Sequence, residues 1–483
     1  MSVTVGIDVA TAGVRALAVG DDGAVLGSAS AALPPPARPG GAGEGRSEQD
    51  ATAWWPAVVS ALSELTSALP GRGAEVTAVA VAATSGTIVA VGRDGEPLGP
   101  ALMYDDRRAA PYNAKAREFG AERWASLGRT VSPTDALGRI AWIRDHMPGA
   151  AGIRHTADLV CARLTGDEVA TDSSHALKSG YDALAGQWPH EVFGAFGVPA
   201  EWLPRVVRPT TVLGEVRAPV AGLRPGCLVV AGMTDGCAGQ LACGAATPGA
   251  FAGILGTTYV LKGVTEHLVR DPAGTLYCHR HPDGWWLPGG ASNTGGEAVA
   301  GTPRLAELDE AADRHGPAGV VAYPLCRQGE RFPFAAKDAR GFVEPAARDE
   351  VELHRARLEG VAFVERLALD HLRRLGVPVT GPLLAAGGGS RSPLWNRIRA
   401  TVTGLELRVS AHAETGYGAA LLAAAATAPG GLGEVCGRAG NPGALVEPEP
   451  AESDALTASY HRFCARLHER GWIDDELYAV ACR

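Results

Sequence analysis

The chain has 483 residues, more than one hydrophobic core usually supports, so two large domains are expected. A formal net charge of −9, with Arg and acid scattered along the chain, argues against a nucleic-acid surface. An apolar content of 46% and a mean hydropathy of +0.02 fit a globular protein with ample core, and apolar stretches such as "ALLAAAATA" fall short of a membrane span.

The opening "VTVGIDVATAGVRALAVGDDGAVLGSAS" predicts three short strands: Val3, Val5 and Ile7 alternate, "VATAG" turns, and "DDG" makes a second hairpin. No basic segment precedes an apolar one here, so no signal peptide is expected. A Pro/Gly-rich loop at 33–45 follows, then helical spacing from about 47 with Ser47 or Asp50 as cap. "VTAVAVAATSGTIVAVGRDGEPL" reads as strand, turn, strand and hairpin, and helical patterns dominate 111–205.

The second half repeats this grammar. "GAFAGILGTTYVLKGVT" (249–265) is strand, Gly-Thr-Thr turn and strand, an echo of "VGIDVATAGVRALAV". Residues 353–376 form a long amphipathic helix ended by Gly376. "GPLLAAGGG" is a strand leading into the helix "SPLWNRIRATVTG"; "ETGYGAALLAAAATA" is a buried Ala-rich helix, and the tail is a final amphipathic one. Strands alternating with helices, twice over, imply two α/β domains flanking a central cleft. Nine cysteines without a CxxC pair suit reduced thiols in a cytoplasm. Cys278, His279 and His281 in "CHRH" read as a polar strand face, and no structural metal is expected.

Three turns of small residues follow predicted strands: "DVATAG" (8–13), "LGTT" (255–258) and "AGGGS" (386–390). Such turns expose N–H groups, and Thr adds hydroxyls, so phosphate oxygens can be gripped without a lysine. None has P-loop or Rossmann spacing. "VVAGMTDGCAGQLACG" (229–244) carries one acid, Asp235, into small residues; it is either a helix cap or a chemical group.

In order along the chain, "GIDVATAGVRA", "GPALMYDDRRA", "LTGDEVATDSSHA", "AGMTDGCAGQLACG", "GILGTTYVL", "AAGGGSRSPLWNRIRA" and "GYGAALLAA" resemble the FGGY carbohydrate kinases. That resemblance implies the ribonuclease H-like, actin/hexokinase-type fold, with an N-terminal domain over 1–236 and a C-terminal domain over 237–483. "DSSHALKSGYD", "LGTTYVLKGV" and "GERFPF" are most similar to the D-ribulose kinases of the cyanobacterial and plant type. "GPALMYDDRRA" is also similar to xylulokinases, which have Trp-Asn-Asp where this chain has Tyr104, Asp105 and Asp106.

The resemblance assigns Asp235 as catalytic base and Asp8 as the holder of hydrated Mg²⁺ on ATP, where the residues alone also allow an Asp bonding its own turn. Thr11 and Gly13 would meet the γ-phosphate region, with Arg15 either neutralising it or lying exposed on its strand. Gly256, Thr257 and Thr258 would face the phosphates, Gly295 and Gly296 would open a helix nearby, and Gly388 and Gly389 would admit adenosine closely. Trp395 reads as core. For the sugar, Ser85 in "TSGT" and Asp106 are the expected contacts, with Arg108 pairing one of Asp105 and Asp106. Glu330 and Arg331 either rim the cleft or form an interdomain ion pair.

Two departures from the family pattern stand out. The first turn has Ala10 and Ala12 where Gly and a hydroxyl residue are usual, which strains the backbone if φ is positive there. Ala82 and Ala83 replace Asp-Gly, removing an acid near the sugar. The expectation is an ATP- and Mg²⁺-dependent cytoplasmic kinase of a ketopentose, D-ribulose foremost and xylulose, another ketose or a polyol as rival. Its partners are a small sugar and ATP, without nucleic acid or membrane, in a homodimer. Readings from other classes are a nucleotide-gated interaction protein and a kinase-like protein of impaired catalysis.

Overall fold

The computed structural model describes residues 2–440 and 443–483. The chain divides into two compact units: Met1–Ala242 with His279–Trp285 and Glu414–Gly440, and Cys243–Cys278 with Trp286–Ala413 and Asn441–Arg483. The strand at Tyr277–Arg280 contains Cys278 and His279. Among the described residues, no helix is long and apolar enough to cross a membrane.

The first unit is built on a sheet whose neighbours run Val25–Ala32, Gly13–Gly20, Val3–Ala10, Val76–Ala83, Leu228–Val230 and Val212–Glu215. The first three strands form an antiparallel meander; the next two run parallel to Val3–Ala10. In the second unit, Trp286–Ala291, Tyr259–Gly263, Phe251–Leu255, Leu383–Ala386 and Leu407–Val409 repeat this order and these senses. The hairpin echo in the sequence is thus a duplication of a five-strand plan.

Val3–Ala10 is buried on both faces, as a central strand must be. Val3, Val5, Ile7 and Val9 share a core with Trp54, Val58 and Leu62 of helix Trp54–Ala68 and Val160 of helix Thr156–Thr165. The other face, carrying Gly6 and Asp8, is covered by helix Thr415–Ala425. The approach is so close that a Cβ at Gly6 would strike the Gly416 carbonyl. Glycine there is a packing requirement.

The expected helices lie at Glu350–Arg374, Pro393–Thr403, Thr415–Ala425 and Pro450–Glu469. For the helix expected from about 47, Asp50 is the cap: it accepts the Thr52 N–H and starts a 3-10 turn that runs into Trp54–Ala68, whereas Ser47 is wholly buried upstream. The helical stretch 111–205 is interrupted by strands Gly152–His155 and Thr171–Asp172.

Candidate active site

Strand Leu228–Val230 continues past a kink at Gly232, and Thr234 then bridges Ala83. Gly232 has φ +79, and a Cβ there would collide with the Val81 carbonyl, so only glycine lets the chain turn here. Asp235 is the first residue of helix Asp235–Ala242, one place beyond Thr234, whose carbonyl accepts the first helical N–H groups. Its Oδ1 accepts the Gly236 N–H at 2.7 Å. A carboxylate at a helix amino end is favoured in its charged form.

Asp8 lies near the end of Val3–Ala10, flanked in register by Arg15 on one neighbouring strand and Ala82 on the other. It is buried, and its Oδ1 makes no hydrogen bond among the described residues. Burial, reinforced by the Asp235 carboxylate, raises its pKa to about 7 against the opposing pull of Arg15. An enclosed, unpartnered carboxylate oxygen with a second carboxylate in range suits a divalent cation. Among the described residues no group of three or more His, Cys, Asp or Glu forms a metal cage. A cation here would complete its shell with water and phosphate, as Mg²⁺ commonly does.

The turn after Asp8 is unstrained. Residues Thr11 and Ala12 link Ala10 to Gly13, and among the described residues the positive-φ non-glycine ones are Arg72, Ala221 and Arg304. Ala10 and Ala12 therefore escape the strain that a positive φ would bring. The Thr11 carbonyl is tied to the Gln49 side chain at 2.9 Å. Ala82 is fully buried against Ala238 and Ala419, in a space that small side chains fill between two helices; Ala83 is equally buried.

Around "TSGT", Thr84 and Thr87 bond one another at 2.7 Å, whereas Ser85 Oγ is enclosed and unbonded. Asp106 departs from its expected sugar contact. It is fully buried, and its two oxygens accept from the Ser47 N–H and from the Arg108 backbone and guanidinium. Its task is to hold its own loop, while the more exposed Asp105 pairs with Arg38 at 2.6 Å. A residue that sequence patterns did not reveal is Arg139. Its buried guanidinium donates to the carbonyls of Gly86, Leu102, Met103 and Thr134, joining the "TSGT" turn to two other loops. Burial brings its pKa down to about 10, still a cation at neutral pH.

In the second unit a cavity of about 650 Å³ is lined by Gly256, Thr257, Gly296, Leu305, Gly388, Gly389, Arg391 and Trp395, among others. Thr257 is exposed at the turn. A methyl group at Gly388 would meet no protein atom within 4 Å, so the space above it belongs to the cavity; one at Gly389 would strike Leu255. Gly295 and Gly296 pack under the turn: Gly296 N–H donates to the Gly256 carbonyl at 2.8 Å and Glu297 N–H to Thr257 at 3.0 Å. They brace it, and the Gly296 N–H is used within the protein. Glu330 is buried and not on a rim, and among the described residues it makes no ion pair. It accepts from Ser292, Asn293, Thr294, Tyr323 and Arg331, fixing the segment that leads into Gly295. Trp395 is buried in the cavity wall with Nε1 donating to the Leu358 carbonyl at 2.9 Å.

The N-terminal domain model of the FGGY family of carbohydrate kinases matches residues 3–242, and its C-terminal domain model matches residues 230–427. A xylulose kinase from Streptomyces rubiginosus is 31% identical over 434 residues, 87% of each chain. A gluconokinase from Bacillus subtilis is 24% identical over 465 residues, 88% of each. The crystal structure of a "xyloylose kinase" from Brucella ovis superposes with a TM-score of 0.87 at 25% identity, covering 98% of this chain and 100% of that one. This chain belongs to the FGGY family of carbohydrate kinases and is a phosphotransferase acting on a sugar.

Proposed function

We propose that the chain transfers the γ-phosphoryl group of ATP to the terminal hydroxyl of a ketopentose. The relatives named for xylulose move D-xylulose ahead of D-ribulose as the acceptor. The gluconokinase relative keeps the acceptor a matter for experiment. The observation that carries the reading is the pair Asp8 and Asp235: one carboxylate has an enclosed unpartnered oxygen, and the other starts a helix within its electrostatic range.

Asp235 orients the acceptor hydroxyl and takes its proton as the sugar oxygen bonds to the γ-phosphorus and the bond to the β-phosphate oxygen breaks, releasing ADP. Asp8 would hold Mg²⁺, which supplies charge neutralisation on the phosphates when bound. Thr11, Gly13 and Arg15 serve the γ-phosphate region, and Ser85 offers a hydroxyl to the sugar. Gly256, Thr257 and Thr258 face the phosphates of a nucleotide whose adenosine occupies the space over Gly388 and Gly389. The domain at 1–236 is assigned the sugar and the one at 237–483 the nucleotide. The nine cysteines are present as thiols and not as disulfides, which suits work in a reducing cytoplasm.

The test is ADP release measured across ketopentoses, aldoses, polyols and gluconate. Strong stimulation by one ketopentose supports the reading. Turnover indifferent to sugar, or stimulation by gluconate alone, replaces it with another.

A further inference from the structure

Helix Ser173–Lys178 starts from Asp172, whose buried carboxylate is fully used. Its Oδ1 accepts the N–H groups of Ser174 (2.8 Å) and His175 (3.1 Å) and the Ser174 hydroxyl (2.6 Å). Its Oδ2 is bonded to His175 Nδ1. This fixes the ring and leaves Nε2, which is enclosed in a wholly buried side chain and makes no hydrogen bond among the described residues. Buried polar atoms are normally satisfied, and this nitrogen is an exception.

The helix touches the residues next to both parts of the proposed acceptor site. Ser174 Oγ accepts the Thr234 N–H at 2.8 Å, one residue before Asp235. Lys178 lies against Gly86, where an added methyl would come within 3.2 Å of its Cδ. Gly86 follows Ser85, whose hydroxyl is likewise enclosed and unbonded. His175 and Lys178 are three residues apart and share a helix face.

Resting on the kinase reading above, we propose that His175 is a sugar-contacting, specificity-determining residue, held by Asp172 so that Nε2–H donates to a sugar oxygen beside the hydroxyl that Asp235 deprotonates. The charged groups acting on the ring favour the form in which Nε2 carries a proton. Burial opposes that charge, but Asp172, with Asp158 and Asp235 behind it, outweighs burial and raises the His175 pKa. The ring of His155 lies 5.8 Å away, its nitrogens bonded to Asp158, Thr171 and Ser179. A site that donates to one substrate oxygen discriminates strongly against an analogue lacking it.

The test uses the full chain with D-xylulose, D-ribulose and the monodeoxy analogues of whichever is phosphorylated. His175→Gln and His175→Ala should raise the sugar KM ten- to a hundredfold and leave the ATP KM within twofold. One monodeoxy analogue should be rejected at least tenfold by the unaltered enzyme and penalised no further by His175→Ala. Equal discrimination in all three proteins, or sugar and ATP KM rising together, overturns the proposal. Since so buried a position can disturb folding, a second readout uses the unaltered chain. The His175 ring resonances should move on adding sugar without nucleotide, and fixed resonances at saturating sugar overturn the assignment. Failure of the kinase reading looks different, because no sugar then stimulates ADP release by the unaltered enzyme, and that result overturns both.

Discussion

Asp8 is held partly protonated near neutral pH by its own burial and by the Asp235 carboxylate, which together bring it up to about 7. Its pKa in the folded chain lies above the ordinary 3.8, so the native state keeps a proton that the unfolded state has lost. Its contribution to stability is complete below about 4 and is lost as pH rises through about 7. The metal-free protein should therefore lose stability across that window by an amount that Asp8→Asn removes. Denaturant midpoints at a series of pH values measure it. Identical pH slopes in the two proteins would place the Asp8 titration elsewhere.

Asp235→Asn keeps the size and the helix-end position of the side chain while removing its basicity. The kcat for sugar phosphorylation should fall roughly 10²- to 10⁴-fold, the usual worth of a positioned general base. ATP affinity, measured by calorimetry, should be unchanged. A variant that phosphorylates at the parental rate would show that Asp235 serves only the start of its helix.

Local pattern made much of this legible. The alternation in "VTVGIDVA" places Asp8 on the face opposite Val5 and Ile7, and small-residue turns locate both hairpins. What the pattern could not show depends on contacts distant in sequence. Helix Thr415–Ala425 packs on the first strand through Gly6 and Gly416, some four hundred residues apart. Asp106 has the composition of a sugar ligand, yet Ser47 and Arg108 use both its oxygens. Glu330 likewise sits in a family-like motif but serves as a buried acceptor. A carboxylate's partners decide its role, and those partners lie in other segments.

Arg139 shows the same dependence, and it is testable. Its guanidinium satisfies carbonyls from three loops, including that of Gly86 beside Ser85. Arg139→Met would leave those carbonyls buried without donors, costing roughly 3 kcal/mol or more. The denaturant midpoint should fall at constant slope, and the sugar KM should rise while the ATP KM holds. An unchanged sugar KM in the folded variant would confine Arg139 to stability.

Adjacent glycines in the second unit separate binding from packing. A side chain at Gly388 enters open cavity, whereas one at Gly389 meets Leu255. Gly388→Val should thus keep its melting temperature while raising the ATP KM about tenfold, equivalent to about 1.4 kcal/mol of lost binding. Gly389→Ala should instead lower the melting temperature, because the buried Leu255 side chain must shift to admit it. Thermal melts and ATP titrations of the two variants read the contrast directly. If Gly388→Val binds ATP as tightly as the parent, the adenosine does not lie over this turn and the cavity serves another ligand.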